Sequence, residues 1–251
     1  MSVDERMVHD IVQKVMANMQ ISGSVSGMHG VFKDMNDAIN ASIEAQKKVC
    51  TMTLDQREQI ISLIRKKTHE NAEILANMGV NETGMGNVGD KILKHHLTAD
   101  KVPGTEDIST IAWSGDRGLT LVEMGPFGVI GAITPATNPS ETVICNCIGM
   151  LAGGNTVVFN PHPNAKKTTI YTINMINEAS IEAGGPDNIA VTVEAPTLDT
   201  SAIMMKHPSI HLLVATGGPG VVTAVLSSGK RAIGAGAVSY THLRAHETDQ
   251  Y

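Results

Sequence analysis

Aromatic residues are nearly absent. Three Phe, three Tyr and one Trp in 251 residues exclude an aromatic sugar platform and argue against an all-β sandwich. Cysteine is equally sparse: three residues cannot form a paired disulfide framework, and a reducing cytosolic setting follows. No uncharged apolar run approaches the length of a membrane span and no signal-peptide core is present, so no membrane association is expected. Positive charge is in deficit. Nineteen Lys and Arg against 25 Asp and Glu leave a formal charge of -6 and a pI near 5.9, which speaks against nucleic acid or an anionic surface as partner. What is abundant is small and flexible: 24 Gly and 14 Met within a 42% hydrophobic chain. That composition suits an α/β protein with glycine-rich turns and a sizeable core.

Residues 3 to 19 carry an apolar stripe at helical spacing, Met7, Val8, Ile11, Val12, Val15, Met16 and Met19, and predict an amphipathic helix within 1–20. A Gly/Ser linker follows at 21–30 and makes that helix detachable. Residues 31 to 102 read as helices without evident chemistry, interrupted by Asn81-Glu-Thr-Gly-Met-Gly86 and stopped by Pro103-Gly104. His95 and His96 adjoin, so on a helix they point about 100° apart and cannot chelate together. No metal site is expected.

Beyond Gly118 the texture changes. Strand candidates at 119–124, 128–133, 155–159, 189–193 and 210–215 alternate with helical stretches at 141–151, 165–183, 200–206 and 221–228. Such alternation implies crossover units, a doubly wound parallel sheet, and ligands bound beyond the carboxyl ends of its strands. Three loops occupy those ends. In Thr134-Pro-Ala-Thr-Asn-Pro139, Asn138 offers an amide that can polarise a carbonyl oxygen, the alternative being an Asx turn that caps the next helix. Asn160-Pro-His-Pro-Asn-Ala-Lys-Lys167 opens a helix whose free N–H groups, with Lys166 and Lys167, can hold phosphate; two solvated lysines are the plainer reading. Thr216-Gly-Gly-Pro-Gly220 lets a ligand approach backbone, although it lacks the full dinucleotide spacing. Cys145 and Cys147 lie in an apolar helical stretch and read as buried small residues; Cys50 has lysines beside it but no base.

Taken in order, these loops resemble the aldehyde dehydrogenase superfamily, and within it the CoA-acylating acetaldehyde and propionaldehyde dehydrogenases of bacterial microcompartments. The resemblance runs from about Val31 to Ala237 and also rests on Gly125-Pro-Phe-Gly-Val-Ile-Gly131, Leu151-Ala-Gly-Gly-Asn-Thr-Val-Val158 and Ile233-Gly-Ala-Gly-Ala237. It implies a helical amino-terminal region followed by a parallel-sheet NAD-binding domain at 31–237. It implies that Asn138 stabilises an oxyanion, that Ile133, Thr134 and Pro135 line the cofactor cleft, that Asn160 and His162 help receive NAD and CoA, and that Thr216, Gly217 and Gly218 lie beside the nicotinamide and pyrophosphate. The implied reaction is aldehyde + NAD + CoA → acyl-CoA + NADH through a cysteine thioester. Family members assemble as homo-oligomers, and an amphipathic helix with a linker resembles the peptides that dock cargo to a shell protein, which places the enzyme in the lumen of a microcompartment in the bacterial cytoplasm.

The tail departs from the family. Residues 238–251, including Ser-Tyr-Thr-His-Leu-Arg-Ala-His-Glu-Thr, resemble translated adapter sequence and are read as foreign; His242 and His246 are not read as a metal pair. No cysteine matches the family nucleophile, so the expectation is an amino-terminal part without the catalytic domain and inactive alone. Two alternatives are a hydrolytic NAD(P)-dependent aldehyde dehydrogenase, disfavoured by Thr-Asn-Pro and Asn-Pro-His-Pro, and a non-catalytic shell-binding or oligomerisation module.

Overall fold

A computed structural model describes residues 27–236; the expected helix within 1–20, most of the linker and the tail at 238–251 lie outside the described residues. The elements run β1 (Val31–Phe32), α1 (Met35–Val49), α2 (Leu54–Thr83), α3 (Val88–Lys101), β2 (Ile111–Gly115), β3 (Gly118–Val122), β4 (Val129–Thr134), α4 (Pro139–Ala152), β5 (Thr156–Pro161), α5 (Lys166–Glu182), β6 (Ala190–Val193), α6 (Leu198–Lys206), β7 (Ile210–Thr216), α7 (Pro219–Leu226) and β8 (Arg231–Ala235).

Six strands form a parallel sheet in the order β1-β6-β5-β4-β7-β8. The central strands are apolar runs buried along their length, β5 entirely so, as a sheet covered on both faces requires. Successive residues then serve opposite layers: Phe159 packs with Ile60, Ile64, Ile144 and Ile176, while Val158 packs with Met35, Ile39, Met204 and Leu213. At the sheet centre Gly131 lets neighbours close in, since a Cβ there would stand 2.9 Å from Leu213 Cδ2 and 3.2 Å from Met204 Cγ. The chain winds one way from β4 through β5 to β6 and then returns to the other side of β4 as β7. That reversal puts the carboxyl ends of β5, β4 and β7 side by side, the place where an open α/β sheet binds ligands.

Local signals explain the helix bounds. Thr53 and Gln56 form a capping box at the start of α2, and α2 ends where Gly84 adopts φ 68°, a left-handed geometry that glycine takes without strain. Thr197 and Thr200 cap α6 in the same reciprocal way, so that helix starts at Leu198 rather than at the expected 200. No helix among the described residues is long and apolar enough to cross a membrane.

One expected strand joins a different sheet. Residues 119–124 were expected among the parallel strands, but β3 pairs antiparallel with β2 in a separate hairpin. The reason is length: only residues 123–128 separate β3 from β4, and a parallel connection needs about a dozen residues or more. The hairpin leaves Trp113, Leu119 and Leu121 exposed. The strands β1, β2 and β8 carry no independent strand expectation; β1 has two residues, too few for a periodic signal.

Candidate functional site

The ends of β4, β5 and β7 open into one cavity of about 570 Å³, within the size range of small-molecule sites. All three loops singled out in the sequence contribute to it.

From the β4 loop come Ile133, Thr134, Pro135 and Asn138. Thr134 is buried, and its Oγ1 has no hydrogen-bond partner among the described residues, a costly condition unless a ligand or water completes it. Asn138 precedes α4, whose first residue is Pro139, yet its side chain makes no cap hydrogen bond. The Asx-turn alternative therefore does not describe it. Its Oδ1 instead accepts from Lys94 Nζ at 3.4 Å, and its backbone carbonyl accepts from Thr142 Oγ1 at 2.6 Å.

From the β5 loop come Asn160 and His162, with unlike surroundings. The Asn160 amide is engaged at both ends: Nδ2 donates to Ser201 Oγ at 2.6 Å and Oδ1 accepts from Thr200 Oγ1 at 2.7 Å. It ties β5 to the start of α6. His162 Nδ1 accepts from Asn164 N at 3.2 Å, so in the neutral ring the proton sits on Nε2. The phosphate reading of the following helix start needs correction. The amides of Lys167 and Thr168 donate to Glu82 at 2.7 and 2.8 Å, so a carboxylate from α2 already occupies the anion position there. Lys166 and Lys167 do not line the cavity.

From the β7 loop come Thr216, Gly217 and Gly218. The Gly217 amide donates to Ala235 O at 3.1 Å, which fixes the loop against β8. A Cβ at Gly217 would meet only Val221, at 3.9 Å, and one at Gly218 nothing within 4 Å. The fold does not need glycine there, and the space beside those backbones is open. Among the described residues no Lys, Arg, Asp or Glu lines the cavity; the amino end of α7, which opens at Gly218, supplies the favourable potential for an anion.

Behind the β4 loop lies a polar network that sequence reasoning missed. Lys91, 3% exposed, donates from Nζ to Thr137 O at 3.0 Å and pairs with Glu141 Oε1 at 3.4 Å. His95 is fully buried. Its Nδ1 lies 2.6 Å from Lys91 O and its Nε2 2.8 Å from Ser140 Oγ. A carbonyl only accepts, so Nδ1 carries a proton; in the neutral ring Nε2 then accepts the single Ser140 hydrogen. Ser140 Oγ also lies 3.2 Å from Glu141 Oε2, and donation there requires His95 to be protonated on both nitrogens. Burial pushes the imidazole below its ordinary value, with Glu141 and the hydrogen bond to the Lys91 carbonyl opposing that fall and the Lys91 ammonium adding to it, and the net fall favours the neutral arrangement. His96 turns away to His69, with the two Nδ1 atoms 2.6 Å apart. The signal for the network was present as Lys91, Lys94 and His95, three polar residues at i, i+3 and i+4 on one helix face.

The cysteines stand apart. None of Cys50, Cys145 and Cys147 lines the cavity. The expectation of two buried cysteines holds for Cys147 but not for Cys145, which lies on the exposed side of α4; burial pushes the Cys147 thiol strongly up, and partial desolvation raises Cys145 too. Neither is an activated nucleophile.

Residues 17–237 match the sequence profile of the aldehyde dehydrogenase family. The acetylating acetaldehyde dehydrogenase of Bilophila wadsworthia is 46% identical over 227 residues, which cover 87% of this chain and 46% of the relative. The structure of a propionaldehyde dehydrogenase from the Clostridium phytofermentans fucose utilisation microcompartment superposes with a TM-score of 0.82 at 73% identity, covering 83% of this chain and 48% of that one. The Rhodopseudomonas palustris propionaldehyde dehydrogenase, solved with propionyl-CoA bound, gives a TM-score of 0.81 at 50% identity, covering 83% of this chain and 46% of that one. The chain thus spans about half the length of the relatives it matches.

Proposed function

Because this chain belongs to the aldehyde dehydrogenase family, we propose that its cavity is the coenzyme site of a CoA-acylating enzyme that oxidises a short-chain aldehyde, acetaldehyde or propionaldehyde. The observation that carries the reading is the convergence of Asn138, His162 and the Gly217–Gly218 backbone on one cavity at the reversal point of the sheet. NAD, when bound, supplies the hydride acceptor.

The residues suit such a group. The unpartnered Thr134 Oγ1 is a hydrogen-bonding group awaiting a ligand, Ile133, Pro135 and Ala235 give an apolar wall, and the two glycines admit close approach. A helix amino end beside Gly218 suits a pyrophosphate. His162, with its proton on Nε2, offers a donor to the adenine-bearing ligands, NAD and CoA; Asn160 shapes this loop by holding α6. Asn138 Nδ2 is the donor for the oxyanion that forms when a cysteine thiolate adds to the aldehyde carbonyl. We assign that cysteine to a part of the enzyme outside these 251 residues.

Residues 31–237 form the coenzyme domain, the stripe within residues 3–19 docks a shell protein, and the enzyme works as a homo-oligomer in the lumen of a bacterial microcompartment. Deleting residues 1–20 should abolish co-purification with shells.

Full-length enzyme incubated with propionaldehyde, NAD and CoA tests the reaction. Equal yields of NADH and propionyl-CoA are expected, and NADH accompanied by free propionate would replace the acylating reading with the hydrolytic one.

A further inference from the structure

We infer that Lys91 and Lys94 of α3 are positioning residues that set the Asn138 amide, an inference that rests on the oxyanion reading of Asn138. Neither lysine lines the cavity. Both instead act on the one loop residue assigned to the reaction.

Lys91 brings an ammonium into a site where it is 3% exposed, an expensive placement unless fully paired. Its partners are the Thr137 carbonyl, at 3.0 Å, and Glu141, at 3.4 Å. The Thr137 carbonyl belongs to the peptide that leads into Asn138, so the ammonium pins the backbone on the amino side of that residue. On its carboxyl side, His95 on the same helix holds Ser140 Oγ at 2.8 Å. Lys94 acts on the side chain itself, with Nζ 3.4 Å from Asn138 Oδ1. A cation on the oxygen rejects the flipped amide, which would turn an N–H₂ group toward an ammonium. The Asn138 Nδ2 is thereby kept as the free end.

These tethers grip Thr137, Asn138 and Ser140 from a single helix. Their value is preorganisation: a donor already aimed at the developing charge needs no rearrangement during reaction.

The test is kinetic, in the full-length enzyme with propionaldehyde and saturating NAD and CoA. The variants are Asn138→Ala, Lys94→Met, Lys94→Arg and the charge-neutral pair Lys91→Met with Glu141→Gln, which avoids leaving one buried charge unpaired. Asn138→Ala should lower kcat by about 10²–10³-fold. Lys94→Met and the charge-neutral pair should each lower it by up to about 10²-fold, with KM for NAD unchanged, and Lys94→Arg should restore most of the loss. Combined with Asn138→Ala, the lysine changes should cost nothing further, because their effect passes through that amide. Equal losses with and without Asn138 would overturn the positioning role while leaving Asn138 as the donor. Wild-type kcat in Asn138→Ala would overturn the oxyanion reading itself and this inference with it.

Discussion

Glu82 and Thr168 meet twice: Glu82 Oε2 accepts from the Thr168 amide at 2.8 Å and from its hydroxyl at 2.7 Å. The carboxylate comes from the last turn of α2 and closes the amino end of α5, 86 positions away in the chain. The helix that follows β5 therefore has its charge requirement met within the protein.

Replacing Glu82 by Ala should cost about 1.5–2 kcal/mol, the lower part of the range for hydrogen bonds to a charged group because the site is only half-buried. Denaturant unfolding of this chain would show it as a lower midpoint at unchanged slope. A midpoint equal to wild type would mean that water replaces the carboxylate without loss.

The pair Lys91 and Glu141 makes a sharper stability prediction. Lys91→Met leaves a carboxylate buried without its ammonium, a change of about 3–5 kcal/mol, whereas adding Glu141→Gln removes the second charge and should recover most of that. The unfolding midpoints of the single and double variants decide this. A double variant less stable than Lys91→Met would show that the two side chains do not pair energetically.

His95 links the same network to pH. Its folded-state value is depressed, chiefly by burial, so the unfolded chain takes up a proton first as pH falls. Above its ordinary value, about 6.5, both states are neutral and His95 adds no pH dependence; stability then declines with falling pH until the folded-state value is passed. His95→Gln should flatten the slope of unfolding free energy between about pH 6.5 and pH 5. An unchanged slope would assign the proton uptake elsewhere, His207 being the other imidazole depressed by burial among the described residues.

None of Cys50, Cys145 and Cys147 lines the cavity. This chain alone should form no NADH from propionaldehyde and CoA, since the Cys145 and Cys147 thiols are raised by burial and lie away from the cavity. Activity that disappears with Cys145→Ser would contradict that placement.

The alternation of apolar strands with helices was legible because β4 and β5 are buried on both faces and β7 over most of its length, which leaves continuous runs such as Thr156–Phe159 bounded by Gly and Pro. The three loops were legible for the same reason, since each follows such a run. The strand β3 was not placed correctly and its partner β2 not foreseen: a strand's own pattern does not say which partner it pairs with, and only the short 123–128 connection excludes the parallel sheet. The bracing of Asn138 was hidden because Lys91 and Thr137 are 46 positions apart, and lysines on a helix ordinarily read as solvent-facing. The Glu82 cap was hidden in the same way, by a contact with no local trace.

Calorimetric titration of NAD into full-length wild type and Gly217→Val tests most directly whether the three loops form the coenzyme site. A Cβ at 217 touches only Val221, at ordinary contact distance, so the backbone there accepts a side chain, and the valine fills space beside the β7 loop. NAD affinity lower by about tenfold or more, equivalent to about 1.4 kcal/mol, at an unchanged melting temperature is the expected result. Equal affinity in the two proteins would remove Gly217 from the coenzyme site and contradict the assignment of this cavity.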